Sequence, residues 1–396
     1  MTQPVPGSQS LSFAFVSHVL PPGWSGQAMV MARLLNCIPR ETVLLISQRG
    51  HGGQTLGEDG VRRVILPPEL GRRLWARGGI LALLAIAYRL LVRGWRIARV
   101  VRAERCEVVV AGTGDLIDLP STALACALLR IPLVVYLFDD YLSQWGFAPK
   151  VQRWARIMER RFIARAAAVI VPNETLADEI RARHGIECVV IRNPALSLAQ
   201  PEGTARPDTR APVIVYTGAV YHVNYGAFRT LVAALEMLPG IKPRLAIYSA
   251  QDRLQLEREG LRGPAVGLHP HVDPVEAARL QQNADVLFIG FSFDSDAPVI
   301  VRTSAPGKLG DYLASGRPIL ALVPSDSFLA RYLREHECGL VVDRDDPEVL
   351  AIALKRLLQE PGLAERLARN ALERARSEFA PEVAAARFLS VLEAVR

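Results

Sequence analysis

Lys308 and Asp311 stand three residues apart in the stretch Thr303-Ser304-Ala305-Pro306-Gly307-Lys308-Leu309-Gly310-Asp311-Tyr312-Leu313-Ala314-Ser315-Gly316-Arg317-Pro318. Pro306 and Gly307 suit the start of a helix, and Ser304 or Thr303 could cap it. The spacing puts Lys308 and Asp311 on one face and Leu309, Tyr312 and Leu313 on another. Gly316 ends this helix, Pro318 forbids its return, and 319–323 reads as a buried strand. A helix N-terminus is already the positive end of the dipole, so a lysine in its first turn is mildly unfavourable. It makes sense when an anion sits in front. Free N–H groups at 307–310 and the Lys308 ammonium would then hold a phosphate, and Asp311 would accept from sugar hydroxyls. The same pattern also reads as a solvated Lys–Asp pair on an exposed helix.

Two further sets of residues invite chemistry. Asp139-Asp140 follows an expected strand at 133–138. Ser25-Gly26-Gln27 ends a Pro- and Gly-bearing loop between an apolar strand at 11–17 and a helix at 26–35. Strand, glycine-bearing loop, helix is the opening of a Rossmann-like half, where ligands approach the loop. An ordinary βα connection is the alternative. No G-x-G-x-x-G occurs there, so a dinucleotide fingerprint is not supported.

The elements that must hold these residues alternate between strand and helix. Strands are expected at 42–47, 61–66, 108–111, 133–138, 167–171 and 188–191, with a helix capped by Asn173 running to His184. Residues 193–212 hold four prolines, Gly203 and little periodicity, the character of a linker. Strands return at 213–217, 245–248, 286–289, 319–323 and 340–342. The loop 218–225 precedes a helix at 228–238, and arginine- and alanine-rich helices finish the chain. The expected fold is α/β with two Rossmann-like domains facing across a cleft. An N-terminal domain spans 1–195, a linker 196–212 and a C-terminal domain 213–378. A last helix at 379–396 crosses back to the N-terminal domain.

Composition narrows the function. The 396 residues are half apolar, which excludes disorder and supplies two cores. Five dispersed cysteines, Cys37, Cys106, Cys126, Cys188 and Cys338, lack a C-x-x-C pair; they fit a reducing cytoplasm rather than a disulfide framework or zinc site. The first ten residues are polar, without a signal-peptide core. The apolar run 80–92 is interrupted by Arg89 and too short to span a bilayer. The net charge of +7 is concentrated. Between Arg62 and Arg105 stand eleven arginines against Glu69 and Glu104. This block carries Trp75, Tyr88 and Trp95 on an apolar background and no recognisable RNA or DNA motif, which argues against nucleic acid. Leu81, Leu84, Ala85, Tyr88, Leu91 and Val92 follow helical spacing, flanked by Arg89, Arg93, Arg96 and Arg99. Residues 70–102 therefore read as helices whose arginines face an anionic membrane, or as a domain helix packed on its sheet with a solvated basic face.

Pro306-Gly307-Lys308-Leu309-Gly310-Asp311-Tyr312-Leu313-Ala314-Ser315-Gly316-Arg317-Pro318 resembles the donor-site helix of the GT-B glycosyltransferases, family 4 in particular. Val213-Ile214-Val215-Tyr216-Thr217-Gly218-Ala219 is similar to that family's first C-domain strand. Val169-Ile170-Val171-Pro172-Asn173 and Ile191-Arg192-Asn193-Pro194 resemble the end of its N-domain, and Pro21-Pro22 through Gly26-Gln27 its acceptor-side loop. The resemblance implies transfer of a sugar from a nucleotide-diphosphate donor with retention, without an obligatory metal or a tightly bound cofactor. It implies a carbohydrate or lipid-linked acceptor in cell-surface polysaccharide or glycolipid synthesis, and a cytoplasmic protein at the inner face of a membrane. Lys308 and Asp139 are the catalytic candidates it supplies. The donor candidates are Gly218, Asn224, Arg229, Arg302, Thr303, Ser304, Ala305, Pro306, Gly307, Lys308, Leu309 and Asp311; Ser25, Gly26 and Gln27 form the acceptor-side loop. The chain departs from the family at three places. Thr303 stands where the family has its first glutamate. Tyr221, His222, Asn224 and Arg229 replace the usual arginine and lysine after Gly218. Asp139 or Asp140 replaces the N-domain histidine. These departures leave a non-catalytic GT-B protein as the alternative.

Overall fold

The computed structural model describes residues 11–21, 23, 25–48, 53–56, 60–69, 79–143, 149–196 and 211–396. Pro22, Trp24, residues 70–78 of the basic block and 197–210 of the expected linker lie outside the described residues. The chain divides into two compact units: Met1–Ile191 with Ala385–Arg396, and Arg192–Ala384.

Unit 1 alternates strand and helix. It runs β1 (Phe13–Val16), α1 (Gly26–Leu35), β2 (Val43–Ser47), β3 (Gly53–Leu56), β4 (Arg62–Ile65), α2 (Gly79–Ala103), β5 (Val108–Gly112) and α3 (Asp118–Leu129). It continues through β6 (Leu133–Tyr136), α4 (Pro149–Ile163), β7 (Ala168–Val171), α5 (Glu174–His184) and β8 (Val189–Val190). The sheet order is β3-β4-β2-β1-β5-β6-β7-β8, parallel throughout except for the antiparallel pair β3–β4. β1 sits at the centre, with Phe13 in register with both Val43 and Val108. Every residue of β1, β2, β5 and β6 is buried, as expected of parallel strands covered on both faces. β3 was not foreseen, because Gly-Gln-Thr-Leu carries no clear apolar alternation. The C-terminal segment completes this core: Phe388 lies edge-on to Phe13 at 5.6 Å and stacks on Phe15 at 6.3 Å.

Unit 2 begins with β9 (Val213–Thr217), α6 (His222–Glu236), β10 (Arg244–Ser249), α7 (Arg253–Arg258), β11 (Val266–Pro270), α8 (Pro274–Gln282) and β12 (Val286–Gly290). It continues through α9 (Pro298–Thr303), α10 (Lys308–Ala314), β13 (Ile319–Leu322), α11 (Phe328–Glu335), β14 (Leu340–Val342), α12 (Pro347–Gln359) and α13 (Pro361–Glu378). The sheet order β11-β10-β9-β12-β13-β14 is the 3-2-1-4-5-6 winding of a Rossmann sheet. Strand order reverses between β9 and β12, so ligands are expected outside the carboxyl ends of these two strands. Side chains alternate across the sheet: Val215 joins one core layer, and Ile214 and Tyr216 join the other. β11 is an edge strand that the apolar pattern did not announce, since its residues are only partly covered. The loop expected at 218–225 is shorter than the sequence suggested. α6 starts at His222, so Asn224 is helical.

Candidate active site

In unit 2 the loop after β9 and the first turn of α10 meet. The Lys308 Nζ lies 3.6 Å from the centroid of the Tyr216 ring. Gly218, with φ +114, leaves room for it: a Cβ there would stand 3.2 Å from Nζ. Tyr312 fixes the strand end by accepting from the Thr217 N–H at 3.1 Å, and Gln281 donates to Thr217 Oγ1 at 2.8 Å. Burial pushes the Lys308 ammonium down to about 7, against the upward pull of Asp311. The reading of Lys308 as half of a solvated surface pair is therefore corrected. This half-buried cation is held on an aromatic face at the reversal point of the sheet.

The surrounding candidates divide into those at the strand ends and those used elsewhere. α10 has Gly307 as its N-cap residue and no side-chain cap. Ser304 instead ends α9, and Thr303 is buried with Oγ1 donating to Val299 O at 2.7 Å, so neither caps α10. The Leu309 N–H donates to Pro306 O at 2.9 Å and its side chain is buried. Leu309 is thus core, and its N–H is not free for a phosphate. Ala305 O accepts from Asn193 Nδ2 at 2.8 Å, and Asp311 Oδ1 accepts from the Leu196 N–H at 2.8 Å. Gly310 permits that close approach, because a Cβ would meet Ala195 N at 3.1 Å. Asn224 is buried and occupied internally: its amide donates to Gly290 O at 2.8 Å and accepts from the Tyr221 N–H. It ties the β9 loop to the end of β12. Arg229 lies seven residues into α6, about 10 Å along the axis, with Glu259 at 3.7 Å. Arg302 is half-buried in the last turn of α9. Replacing Gly218 by alanine is expected to displace Lys308 and strain the loop, lowering nucleotide affinity more than thermal stability. Equal nucleotide-induced melting shifts in G218A and wild type would show that the position of Lys308 is immaterial.

In unit 1 Ser25 caps α1, accepting from the Ala28 N–H at 3.2 Å. Gln27 donates to Ser17 Oγ at 3.0 Å and to Thr113 O, joining the loops after β1 and β5. Gly26 opens α1 with free space around it. The two aspartates after β6 take different environments. Asp140 is buried, paired with Arg183, and accepts from Ser143 Oγ at 2.6 Å. It serves as a cap and anchor. Asp139 is exposed, and its carboxyl is raised to about 7, first by loss of solvation and then by Asp140.

A buried ion network that the sequence reading missed lies behind the β5 loop. Arg93 is fully buried, with Glu69 at 3.0 Å and Asp115 and Asp118 each at 2.6 Å; Arg89 joins Glu69 at 3.4 Å. Burial pulls the Arg93 guanidinium down, but Asp118, Asp115 and Glu69 together hold it above its ordinary value. Asp118 moves the other way, raised to about 7 by burial and by Asp115. The expectation that Arg89 and Arg93 face a membrane is corrected. Only the tertiary fold brings Glu69, Asp115 and Asp118 to Arg93 of α2. His18 Nδ1 lies 3.9 Å from Asp115 Oδ2 at the rim of this network.

Comparison with known proteins agrees with this architecture. The sequence model of the family described as "Glycosyl transferase 4-like domain" matches residues 25–194, and that of "Glycosyl transferases group 1" matches residues 211–360. Over 256 residues the chain is 25% identical to a D-inositol 3-phosphate glycosyltransferase of a Nocardioides species; the match covers 56% of this chain and about half, 53%, of that relative. A glycosyltransferase from Rickettsia africae superposes with a TM-score of 0.70 at 12% identity, covering 98% of this chain and 99% of the other. Anabaena HepE in complex with UDP and glucose gives 0.68 at 16%, covering 97% and 99%. The α,α-trehalose 6-phosphate synthase of Burkholderia multivorans gives 0.69 at 16%, covering 98% and 99%. At such identities the structures speak for the fold, and the two sequence models for the family. With both halves matched in order and both sheets wound as GT-B requires, the chain belongs to the family 4-like, group 1 glycosyltransferases.

Proposed function

We propose that the protein transfers a hexosyl or similar sugar from a nucleotide-diphosphate donor to a carbohydrate or lipid-linked acceptor, with retention at the anomeric carbon. The product belongs to cell-surface polysaccharide or glycolipid synthesis, and the protein works peripherally at a membrane. The observation that carries this reading is the Lys308 ammonium over Tyr216, beside the Gly218 turn, at the point where the unit 2 sheet reverses. The anomeric C–O bond to the diphosphate breaks, a bond to the acceptor oxygen forms, and the acceptor proton passes to solvent or the departing diphosphate. Negative charge grows on the leaving phosphate, which a preorganised cation stabilises more than it stabilises the ground state. Asp139, with its carboxyl near half-protonation at neutral pH, is the proposed partner for a sugar hydroxyl. Because Lys308 meets the leaving charge, turnover is expected to survive chelation of divalent ions; its loss in EDTA, with recovery on adding Mg²⁺, would refute the metal-independent form.

The first test is thermal unfolding in the presence of UDP, GDP, ADP, TDP and CMP. A nucleotide that binds only the folded chain raises the melting temperature by mass action, by about 2.7 kcal/mol of stability at a hundredfold excess over Kd. No shift with any of them sinks the donor reading. The non-catalytic alternative is motivated by Thr303, whose hydroxyl is taken by Val299 O, and by Asn224 and Arg229, which face Gly290 and Glu259. A nucleotide shift without transfer or hydrolysis of any nucleotide sugar would favour it.

A further inference from the structure

α2 carries a second apolar stripe on the side turned away from the core. Leu81, Leu84, Tyr88, Leu91 and Trp95 recur at steps of three and four and are 63%, 61%, 46%, 57% and 54% exposed. The inward side carries Ile86, Ile97 and Val101 but also Arg89 and Arg93. Half a turn of rotation would bury the leucines and send both arginines to solvent, but it would also expose Ile86, Ile97 and Val101, which belong to the core. Glu69, Asp115 and Asp118 oppose it as well, because they line the inner surface and would be left as uncompensated buried carboxylates. The core aliphatics and the ion network together hold the orientation in which the apolar stripe faces out. Gly94 locks it further, since α3 approaches so closely that a Cβ there would meet Ser121 O at 3.0 Å.

What covers the stripe is indicated by its chemistry along the axis. α2 has no acidic residue over its 25 positions. Leu81, Leu84 and Leu91 share the stripe with Tyr88 and Trp95, and Arg99 lies over the Trp95 ring at 4.8 Å, with Arg102 exposed one turn on. Leucines and aromatic rings on one face, running into exposed arginines, suit a helix that lies in the boundary of a bilayer, with aromatic rings at headgroup level and guanidinium groups on phosphates. Among the described residues no helix is long and apolar enough to cross a membrane. We propose that this face of α2 docks on an anionic lipid bilayer, Leu81, Leu84 and Leu91 entering the acyl boundary and Arg99 and Arg102 meeting lipid phosphates. The inference deepens the proposed function and rests on it for the lipid-linked acceptor, which docking would bring to unit 1.

The test is flotation of the full-length protein with vesicles of phosphatidylcholine alone and of phosphatidylcholine mixed with phosphatidylglycerol, at low and high salt. Wild type is expected to float with the anionic vesicles about tenfold more than with the neutral ones, less so at high salt. The double variant Leu84→Asp, Leu91→Asp should lose about tenfold of the bound fraction at an unchanged melting temperature, because both positions are exposed. Arg99→Gln with Arg102→Gln should remove the anionic preference. Equal flotation of the aspartate variant and wild type overturns the proposal. So does absence of flotation with either vesicle, or a lipid-independent dimer that the aspartate variant converts to monomer. The nucleotide-induced melting shift, read on the same variants, reports separately on the donor site: a shift retained while flotation is lost supports docking, and a shift absent in wild type that still floats refutes the transfer reading alone.

Discussion

Lys308→Ala is expected to lower kcat/KM by roughly 10²- to 10³-fold, the loss seen when one preorganised electrostatic stabiliser is removed. The larger share should fall on kcat, since the charge that Lys308 is proposed to meet is greatest in the transition state. The depressed ammonium adds a pH signature. With its group near 7, Lys308 is charged below that pH in the free protein and neutral above it. A bound diphosphate requires the charged form, so donor KM should rise above pH 7, by up to about tenfold per unit. Asp311→Asn removes the carboxylate that holds the ammonium up, so its donor KM should begin to rise at a lower pH than in wild type. The amide oxygen can still accept from the Leu196 N–H, which limits the structural effect. Stability carries the opposite sign. The folded protein binds fewer protons than the unfolded chain between about 7 and 10.5, so this group's contribution improves as pH rises through that window and is least favourable below it. Lys308→Met should consequently melt no lower than wild type at pH 7, and wild type should gain on it toward pH 10. An alanine variant with wild-type turnover and nucleotide affinity would reduce Lys308 to a structural cation and move the donor site elsewhere.

Arg93→Met is expected to be the most damaging single change in unit 1. It leaves Glu69, Asp115 and Asp118 facing one another, with Arg89 and Gln48 still on Glu69 and His18 near Asp115. Removing one member of a buried ionic cluster costs about 3–5 kcal/mol, which in a unit of this size lowers Tm by about 10 °C. Lysine should restore little, because a single ammonium cannot reach three carboxyls as the guanidinium fork does. The deficit should shrink as pH falls toward the carboxylate range. Without Arg93 the folded state protonates these acids more readily than the unfolded chain does, so acid favours the folded variant. Differential scanning calorimetry at pH 5 and pH 8 measures it; a Tm within two or three degrees of wild type at pH 8 would mean that water replaces the guanidinium.

The sequence by itself determined the alternating α/β character of both units, most of their central strands and the limits of the helix proposed to hold the donor. Parallel strands buried on two faces must be short continuous apolar runs, and Phe13–Val16, Val108–Gly112, Val213–Thr217 and Val286–Gly290 are that. Helix limits were equally local: Asn173 caps α5, accepting from the Leu176 N–H at 2.9 Å, and Gly316 leaves α10 at φ +71. Edge strands β3 and β11 escaped, because an edge is only half covered and its residues need no apolar run. Tertiary structure alone decided which way each amphipathic or ionic residue faced. Thr303 turned inward onto its own helix, and Asn224 was consumed in bracing β12. Asp139 and Asp140, adjacent in sequence, were split into an exposed residue and a buried anchor. For α2 the leucine stripe and the arginine stripe were both visible in the spacing, but periodicity fixes only that they oppose each other. Which stripe faces the core depended on Glu69, Asp115 and Asp118 together with the packing of Ile86, Ile97 and Val101, and the distance along the chain from these acids to Arg93 is closed only by folding.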